Sequence, residues 1–195
     1  MVLKGIVSKK ITLLLGVALL VLFAMPLKAY SAATAENSEA VKAAYVFNFS
    51  KLVDWPANVF TGPDDALRFC VFGKGSDFFR QLSGFVGQTV NNREIEVKRY
   101  YKVQYASRCN VIYVSRSEYR VLGNLLDTVR KQPILTISDI PEFIALGGML
   151  ELRQQGSKVQ FLANRQCVTR AKLTISSELL ALALNRMEAM ELECR

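Results

Sequence analysis

Short apolar runs of strand length alternate with amphipathic helical patterns along most of this chain, and this alternation restricts the possible fold. The runs at residues 67–72, 95–100, 111–114 and 134–137 are rich in the β-branched and aromatic residues typical of strands. Between them, apolar residues recur at three- and four-residue steps, which predicts helices such as the one over 118–131. The pattern predicts an α/β fold, in which a mixed, mostly parallel β-sheet packs with helices.

A helical pattern also precedes the first of these strands. Ser38 is a suitable N-terminal cap, and the apolar stripe that follows predicts a helix that Pro56 must terminate. A further short helix is expected around Phe143, after the strand at 134–137.

The last third of the chain predicts an antiparallel hairpin followed by a helix. The runs at 149–152 and 159–162 flank a Gln-Gln-Gly-Ser turn. Ser176 or Ser177 then caps a final helix that we predict through Met187. The fold is therefore expected to end with a β-hairpin and a helix. We expect the whole mature chain to form a single domain.

The N-terminus has the organisation of a secretory signal peptide. Three lysines precede an apolar run at residues 11–25, and Pro26 ends that run. The run is shorter than the roughly 20 residues that span a bilayer as a helix. We therefore expect export to the periplasm with cleavage of the signal peptide, and no stable membrane insertion afterwards.

Removal of the leader changes the charge of the chain. The signal peptide is predicted at 1–31, with cleavage between residues 29 and 35, and the mature domain at 36–195. Four lysines and no acidic residue lie within 1–31, so the formal charge of +8 falls by four. The remaining Lys and Arg are dispersed among Asp and Glu, which argues against nucleic-acid binding.

Four cysteines are present, and none of them forms a Cys-x-x-Cys motif. Disulfides are the default in an oxidising compartment, and four cysteines can pair in three ways. Cys70 and Cys109 lie at the edges of apolar runs that can be neighbours in one sheet, which favours this pair. Cys167 and Cys194 would then form a possible second disulfide.

The sequence contains no histidine. This removes the usual general base, the Ser-His-Asp and Cys-His catalytic arrangements, and the most common metal ligand. We therefore expect no catalytic site, no metal site and no cofactor, and a function that depends on binding.

One turn has some features of an anion site. Gly73, Lys74, Gly75 and Ser76 connect a strand to a helix, whose N-terminus offers unpaired amides to an anion. The dinucleotide-binding motif is incomplete, because Phe78 stands where its third glycine would be. A plain turn and a weak ligand-binding site both remain open.

Several aromatic and apolar residues are candidates for a partner-binding surface, because aromatic residues are preferred interface anchors. Trp55 precedes a proline, and Phe47 faces away from the apolar stripe of its helix. Leu150 and Phe161 lie in the predicted hairpin, where one face of an antiparallel pair is often left to solvent.

Taken together, segments distributed over the mature chain resemble the YfiR-type periplasmic proteins. The matching segments are KAAY at 42–45, FNF at 47–49, WP at 55–56, FCVFG at 69–73, CNVIYV at 109–114, ILTISD at 134–139, GGM at 147–149, VQFLAN at 159–164 and AKLTISSELL at 171–180.

This resemblance implies a binding protein that tends to form a homodimer. In the family, such a protein represses an inner-membrane diguanylate cyclase, YfiN, by holding its periplasmic sensor domain inactive, which lowers cyclic di-GMP and biofilm formation. Two alternatives are a periplasmic protein that binds a small nucleotide or anion, and an accessory subunit of another membrane receptor.

The resemblance also implies roles for particular residues. Cys70 and Cys109 match the structural disulfide of the family. Leu150, Phe161 and Asn164 match the region used for partner contact.

At one position the sequence departs from the family pattern. A close cysteine pair is expected around the Gly-Gly-Met segment, but Ala145 and Glu151 occupy that neighbourhood here. Redox sensing by such a pair is therefore not expected in this chain.

Overall fold

A computed structural model describes residues 27–156, 158–184 and 194. The apolar core of the predicted signal peptide lies outside the described residues. The chain divides into two compact units, 1–37 and 38–195, and the described residues 27–37 of the first unit are helical.

The elements alternate as expected. The helices are α1 (Leu27–Lys51), α2 (Ser76–Ser83), α3 (Leu122–Val129), α4 (Arg165–Arg170) and α5 (Ser177–Leu182). The strands are β1 (Val53–Asp54), β2 (Leu67–Phe72), β3 (Thr89–Val90), β4 (Arg93–Tyr100), β5 (Val111–Val114), β6 (Leu135–Ser138), β7 (Leu150–Gln155), β8 (Lys158–Ala163) and β9 (Thr174–Ile175). Short 3-10 helices span Ala57–Val59, Val103–Arg108 and Arg116–Val121.

Seven strands form one mixed sheet in the order β3-β4-β2-β5-β6-β7-β8. The pairs from β4 to β7 are parallel, whereas β3 is antiparallel to β4 and β8 is antiparallel to β7. The prediction of a mostly parallel sheet with a late hairpin is confirmed. β1 and β9 form a separate two-stranded antiparallel ribbon.

Apolar side chains cover both faces of the sheet, as the continuous apolar runs of parallel strands require. Val111 and Tyr113 of β5 contact the core that contains α1, α2, α4 and α5, whereas Ile112 and Val114 contact the core that contains α3. The sheet is therefore the middle of three layers.

The first helix begins earlier and ends earlier than predicted. Ser38 lies inside α1 and donates from Oγ to Oε1 of Gln154 at 2.6 Å, so it is not the cap. The alanine-rich residues before it are good helix formers. The helix ends at Lys51 because Val53 and Asp54 pair with β9, and Pro56 keeps the residue before it extended.

The short helix predicted around Phe143 is wrong. Residues 141–147 form consecutive turns, in which Glu142 and Gly147 have positive φ angles of 63° and 100°. Two residues with left-handed backbone this close together cannot belong to one α-helix. Phe143 is fully buried against the α3 face of the sheet.

The bounds of two further predicted helices can be compared with the structure. Ser176 caps α5 by accepting a hydrogen bond from the Leu179 amide at 3.2 Å, as predicted. The predicted extension to Met187 passes outside the described residues. The pattern at 118–131 is divided between the 3-10 helix at Arg116–Val121 and α3.

Candidate functional site

Two disulfides connect the four cysteines. Cys70 of β2 is bonded to Cys109, with 5.9 Å between Cα atoms, and Cys167 of α4 is bonded to Cys194. All four cysteines are buried. Both predicted pairs are confirmed, and they indicate that this chain folds in an oxidising compartment.

A cleft of about 290 Å³ lies beside the end of β1. Trp55 and Phe60 contribute aromatic surface, and Leu67 and Val90 belong to the adjoining core. The complete lining is Asp54, Trp55, Ala57, Phe60, Leu67, Val90, Asn91 and Arg93. Binding sites commonly combine aromatic and aliphatic side chains with a few polar groups, as this lining does.

The indole of Trp55 is the most informative group in this cleft. Its ring is half-buried, and its Nε1 is buried without a hydrogen-bond partner among the described residues. A buried indole N–H usually donates to an acceptor. The cleft therefore offers a docking partner an aromatic surface, and the indole N–H becomes a donor to that partner if the ring turns toward the cleft on docking.

Arg93 gives the cleft a fixed positive charge. Its guanidinium lies 3.7 Å from the centroid of the Phe60 ring and donates to the carbonyl oxygens of Gly62 and Asp65 at 2.8 and 2.9 Å. Asp54 contributes an exposed carboxylate to the same lining. These contacts hold Phe60 and its loop in place before any partner arrives.

The loop that carries Phe60 is closed by Asp65. The Thr61 hydroxyl donates to this carboxylate at 2.8 Å, and the amides of Thr61 and Gly62 donate to it as well. Hydrogen bonds from Thr61, followed by that from Gly62, lower the pKa of Asp65. Asp65 therefore stays ionised at neutral pH and has a structural role in the loop.

The sequence did not identify Phe60, Asn91 or Arg93 as site residues. Asn91 and Asn92 have φ angles of 50° and 63° and connect β3 to β4, which is the conformation of a two-residue hairpin turn. The Asn-Asn pair was the available signal. Asn91 also donates from Nδ2 to the Val53 carbonyl at 3.2 Å, which connects this turn to β1.

The position of Phe47 outside the helical stripe suggested that its side chain is accessible, but the structure shows that it is buried. It is 4% exposed, and its ring stacks on Phe85 with centroids 4.4 Å apart. The segment after α2 brings Phe85 to this side of α1, so both faces of the helix are covered there. The expected accessibility of Phe47 is therefore wrong.

The hairpin does not present its apolar residues to solvent either. Leu150 is fully buried, and Phe161 packs on Phe49 of α1 with ring centroids 4.7 Å apart. The Tyr45 hydroxyl also donates to the Val159 carbonyl at 2.9 Å, so α1 is fastened over this face. The idea that Leu150 and Phe161 mark an open surface is thus corrected, and their part in partner contact stays a prediction.

Asn164 has a structural function in the fold. It is fully buried, caps α4 by accepting from the Cys167 amide at 3.0 Å, and donates to the Ile144 carbonyl at 3.2 Å. Among the predicted contact residues, Trp55 is the one that lines an open cleft. A role of Asn164 in partner contact stays a prediction.

Glu151, close to the Gly-Gly-Met segment, provides a noncovalent link in this part of the fold. Its carboxylate is 1% exposed and accepts from Arg153 Nε at 2.8 Å and from the Ile144 amide at 3.4 Å. It connects β7 to the turns at residues 141–147 without redox chemistry.

Removing Arg153 should destabilise the protein more than an ordinary surface cation would. Arg153→Ala leaves the buried Glu151 carboxylate without its counter-charge; because Arg153 is itself half-exposed, we expect the free energy of unfolding to fall by about 2 kcal/mol. Adding Glu151→Gln removes the buried charge and should restore most of this loss. Urea unfolding measures both variants, with Lys98→Ala as a control expected within about 1 kcal/mol of wild type. A double variant no more stable than Arg153→Ala would contradict this role of Glu151.

Three chemical properties of the described residues bear on metal binding, proton transfer and membrane crossing. They contain no group of three or more Cys, Asp or Glu side chains placed to hold a metal ion. Burial raises the pKa of Tyr113 well above its ordinary value, and the carboxylates of Asp139 and Glu39 raise it further. Tyr113 therefore keeps its proton at neutral pH and is not available as a base. No helix among these residues is both long and apolar enough for a membrane crossing.

Comparison with known proteins identifies the family of this chain but adds little beyond it. A sequence profile described as YfiR/HmsC-like matches residues 39–184. No curated protein matches the chain. A crystal structure described as a conserved domain protein from Vibrio cholerae O1 biovar El Tor is 11% identical with a TM-score of 0.47, over 62% of this chain and 54% of that one. The chain thus spans about half the length of that protein.

Proposed function

Because this chain belongs to the YfiR/HmsC-like family, we propose that it is a periplasmic regulator of an inner-membrane diguanylate cyclase. In this proposal it binds the periplasmic sensor domain of the cyclase, represses synthesis of cyclic di-GMP and thereby limits biofilm formation. It acts as a binding protein and not as an enzyme.

The observation that carries this proposal is the Trp55 cleft. Its aromatic and polar lining residues have the composition of an interface anchor site, in which an apolar side chain of the partner would be buried. In this proposal the indole turns slightly on docking, so that the buried, unpaired Trp55 Nε1 donates to a backbone or side-chain acceptor of the partner. Arg93, held by three carbonyl oxygens, is a fixed cation for an acidic group beside that side chain.

The two disulfides support the periplasmic location. Both lie in the mature region, and they link segments separated by 39 and 27 residues along the chain. Disulfides persist in the periplasm and are rare in the reducing cytoplasm. The predicted signal peptide agrees with this assignment.

Repression follows if the protein prefers one state of its partner. A sensor domain that exchanges between active and inactive conformations shifts toward the state to which the regulator binds more tightly. We propose that the Trp55 cleft recognises a surface that the sensor domain presents in its inactive state. We also propose that the regulator is a homodimer, as the resemblance to the family implies.

Affinity capture from envelope extract tests the partner directly. Immobilised mature protein is expected to retain a membrane diguanylate cyclase, identified by mass spectrometry, and Trp55→Ala is expected to lose it. Tyr101→Ala is a matched control, because Tyr101 is 61% exposed and lies outside the cleft. Capture of a different membrane receptor by the wild-type protein, with no cyclase, would contradict the proposal.

A further inference from the structure

The edge of the sheet where β2 and β5 end is a second place of chemical interest. These parallel neighbours end side by side, with Phe72 paired to Val114. From β2 the chain passes through α2 to β4 on one side, and β5 lies on the other side of β2. In open α/β sheets, ligands bind outside the carboxyl ends of the strands at such a reversal of strand order.

A buried hydroxyl without a partner lies under the turn at this edge. Ser115, directly after β5, is 9% exposed, and its Oγ has no hydrogen-bond partner among the described residues. A Cβ on Gly73 would come within 2.9 Å of this oxygen, and one on Gly75 within 3.6 Å. The hydroxyl therefore faces the turn at 73–76. Buried polar groups in native proteins are rarely left unpaired unless something outside the chain completes them.

The N-terminus of α2 faces the same point. No side chain caps this helix, so the first amides, including that of Ser76, have no capping partner. These amides and the helix dipole favour a bound anion. The helix begins directly after Gly75, where the absence of a side chain leaves room beside the amides.

Two cations lie at this turn, and one carboxylate, Glu118, accepts from the neighbouring Ser117 hydroxyl at 3.0 Å. Lys74 has an exposed side chain, and its amide donates to Ser117 Oγ at 3.3 Å. Arg99, at the end of β4, donates from Nη2 to the Gly75 carbonyl at 3.2 Å, and its Nε is a second buried donor without a partner among the described residues. The acidic group nearest in sequence is Asp77, which pairs with Arg80 at 3.2 Å.

We propose that this turn binds a phosphate group. In this proposal the amides of Gly75 and Ser76, the Ser115 hydroxyl and the Lys74 ammonium donate to different oxygens of the anion, an arrangement that suits a tetrahedral phosphate better than a planar carboxylate. Because the Ser115 hydroxyl is buried beneath the turn, this proposal requires residues 73–76 to move slightly so that the anion reaches it, and Gly73, with φ +125°, and Gly75 have the backbone freedom for such a movement. The site is separate from the Trp55 cleft and does not depend on the proposed partner.

The test is a titration of the mature protein followed by ¹⁵N amide chemical shifts. Inorganic phosphate is added at constant ionic strength, with acetate in a parallel series. Saturable shifts are expected at Gly75 and Ser76 with phosphate and are not expected with acetate. Glycerol 3-phosphate is the third ligand. Tighter binding of glycerol 3-phosphate than of inorganic phosphate would indicate a site for an esterified phosphate, and the reverse order would indicate a site for the free anion.

Three variants are expected to change the phosphate affinity, two by weakening it and one by strengthening it. Ser115→Ala should weaken phosphate binding about tenfold, because a hydrogen bond to a charged group is lost. Asp77→Asn should tighten it severalfold, because a carboxylate in the first turn of α2 competes with the anion. Lys74→Ala should weaken it more than Lys102→Ala, an exposed control with the same change in charge.

Any of three results would contradict phosphate binding at this turn. The first is the absence of saturable shifts at residues 75–76. The others are wild-type phosphate affinity in folded Ser115→Ala, and equal effects of Lys74→Ala and Lys102→Ala on that affinity. Asp77→Asn changes an exposed residue and should fold normally, so it still tests the site if Ser115→Ala does not fold.

Discussion

Trp55→Ala is expected to weaken binding of the cyclase sensor domain at least about 30-fold, which corresponds to a loss of about 2 kcal/mol. The indole is the largest aromatic group lining the cleft, and its Nε1 is a donor that the described residues leave unpaired. Truncation removes both the apolar anchor and the donor. Calorimetric titration of the purified sensor domain measures the effect.

Two further variants make this prediction specific. Trp55→Phe keeps an aromatic ring but removes the donor, so we expect a smaller loss than with alanine. Tyr101→Ala deletes an exposed aromatic residue outside the cleft and should bind as wild type does. Wild-type affinity of a folded Trp55→Ala protein would remove the cleft from the binding surface.

Opening the Cys70–Cys109 disulfide is expected to have the largest effect on stability. The bond closes a loop over a sequence separation of 39 residues, and loop-closure entropy alone predicts a loss of roughly 4 kcal/mol in the free energy of unfolding. A loss of this size is a large part of the stability of an ordinary domain. The double variant Cys70→Ala, Cys109→Ala, unfolded in urea, measures it.

The same variant should affect signalling. A destabilised regulator leaves its partner unrepressed, so cells that carry the double variant should contain more cyclic di-GMP than cells with the wild-type protein. The double variant Cys167→Ala, Cys194→Ala is a suitable comparison. Because this bond closes a shorter loop, its loss should lower the free energy of unfolding slightly less. A Cys70, Cys109 variant within about 1 kcal/mol of wild type would contradict the structural role of this bond.

The sequence was sufficient for those features that depend on local pattern. Four apolar runs became neighbouring parallel strands, because such runs are buried on both faces of a parallel sheet. The edge positions of Cys70 and Cys109 predicted their pairing correctly. The serine cap of α5 was also recognisable, since its hydroxyl accepts from an amide three residues later.

Features that depend on distant segments were not predictable in this way. Phe47 appeared accessible because its cover, Phe85, comes from a different part of the chain. The Trp55 cleft similarly combines the end of β1 with the β3–β4 turn. Helical spacing indicates which residues share a face, but it does not indicate what packs against the other face. Interface residues inferred from composition alone were therefore mostly core residues.

Cyclic di-GMP content in cells tests partner regulation through the Trp55 cleft most directly. In cells that lack this protein, restoring the wild-type protein or Tyr101→Ala should lower cyclic di-GMP, whereas Trp55→Ala at equal abundance should leave it high. Full repression by Trp55→Ala, or the same cyclic di-GMP content with and without the wild-type protein, would contradict it.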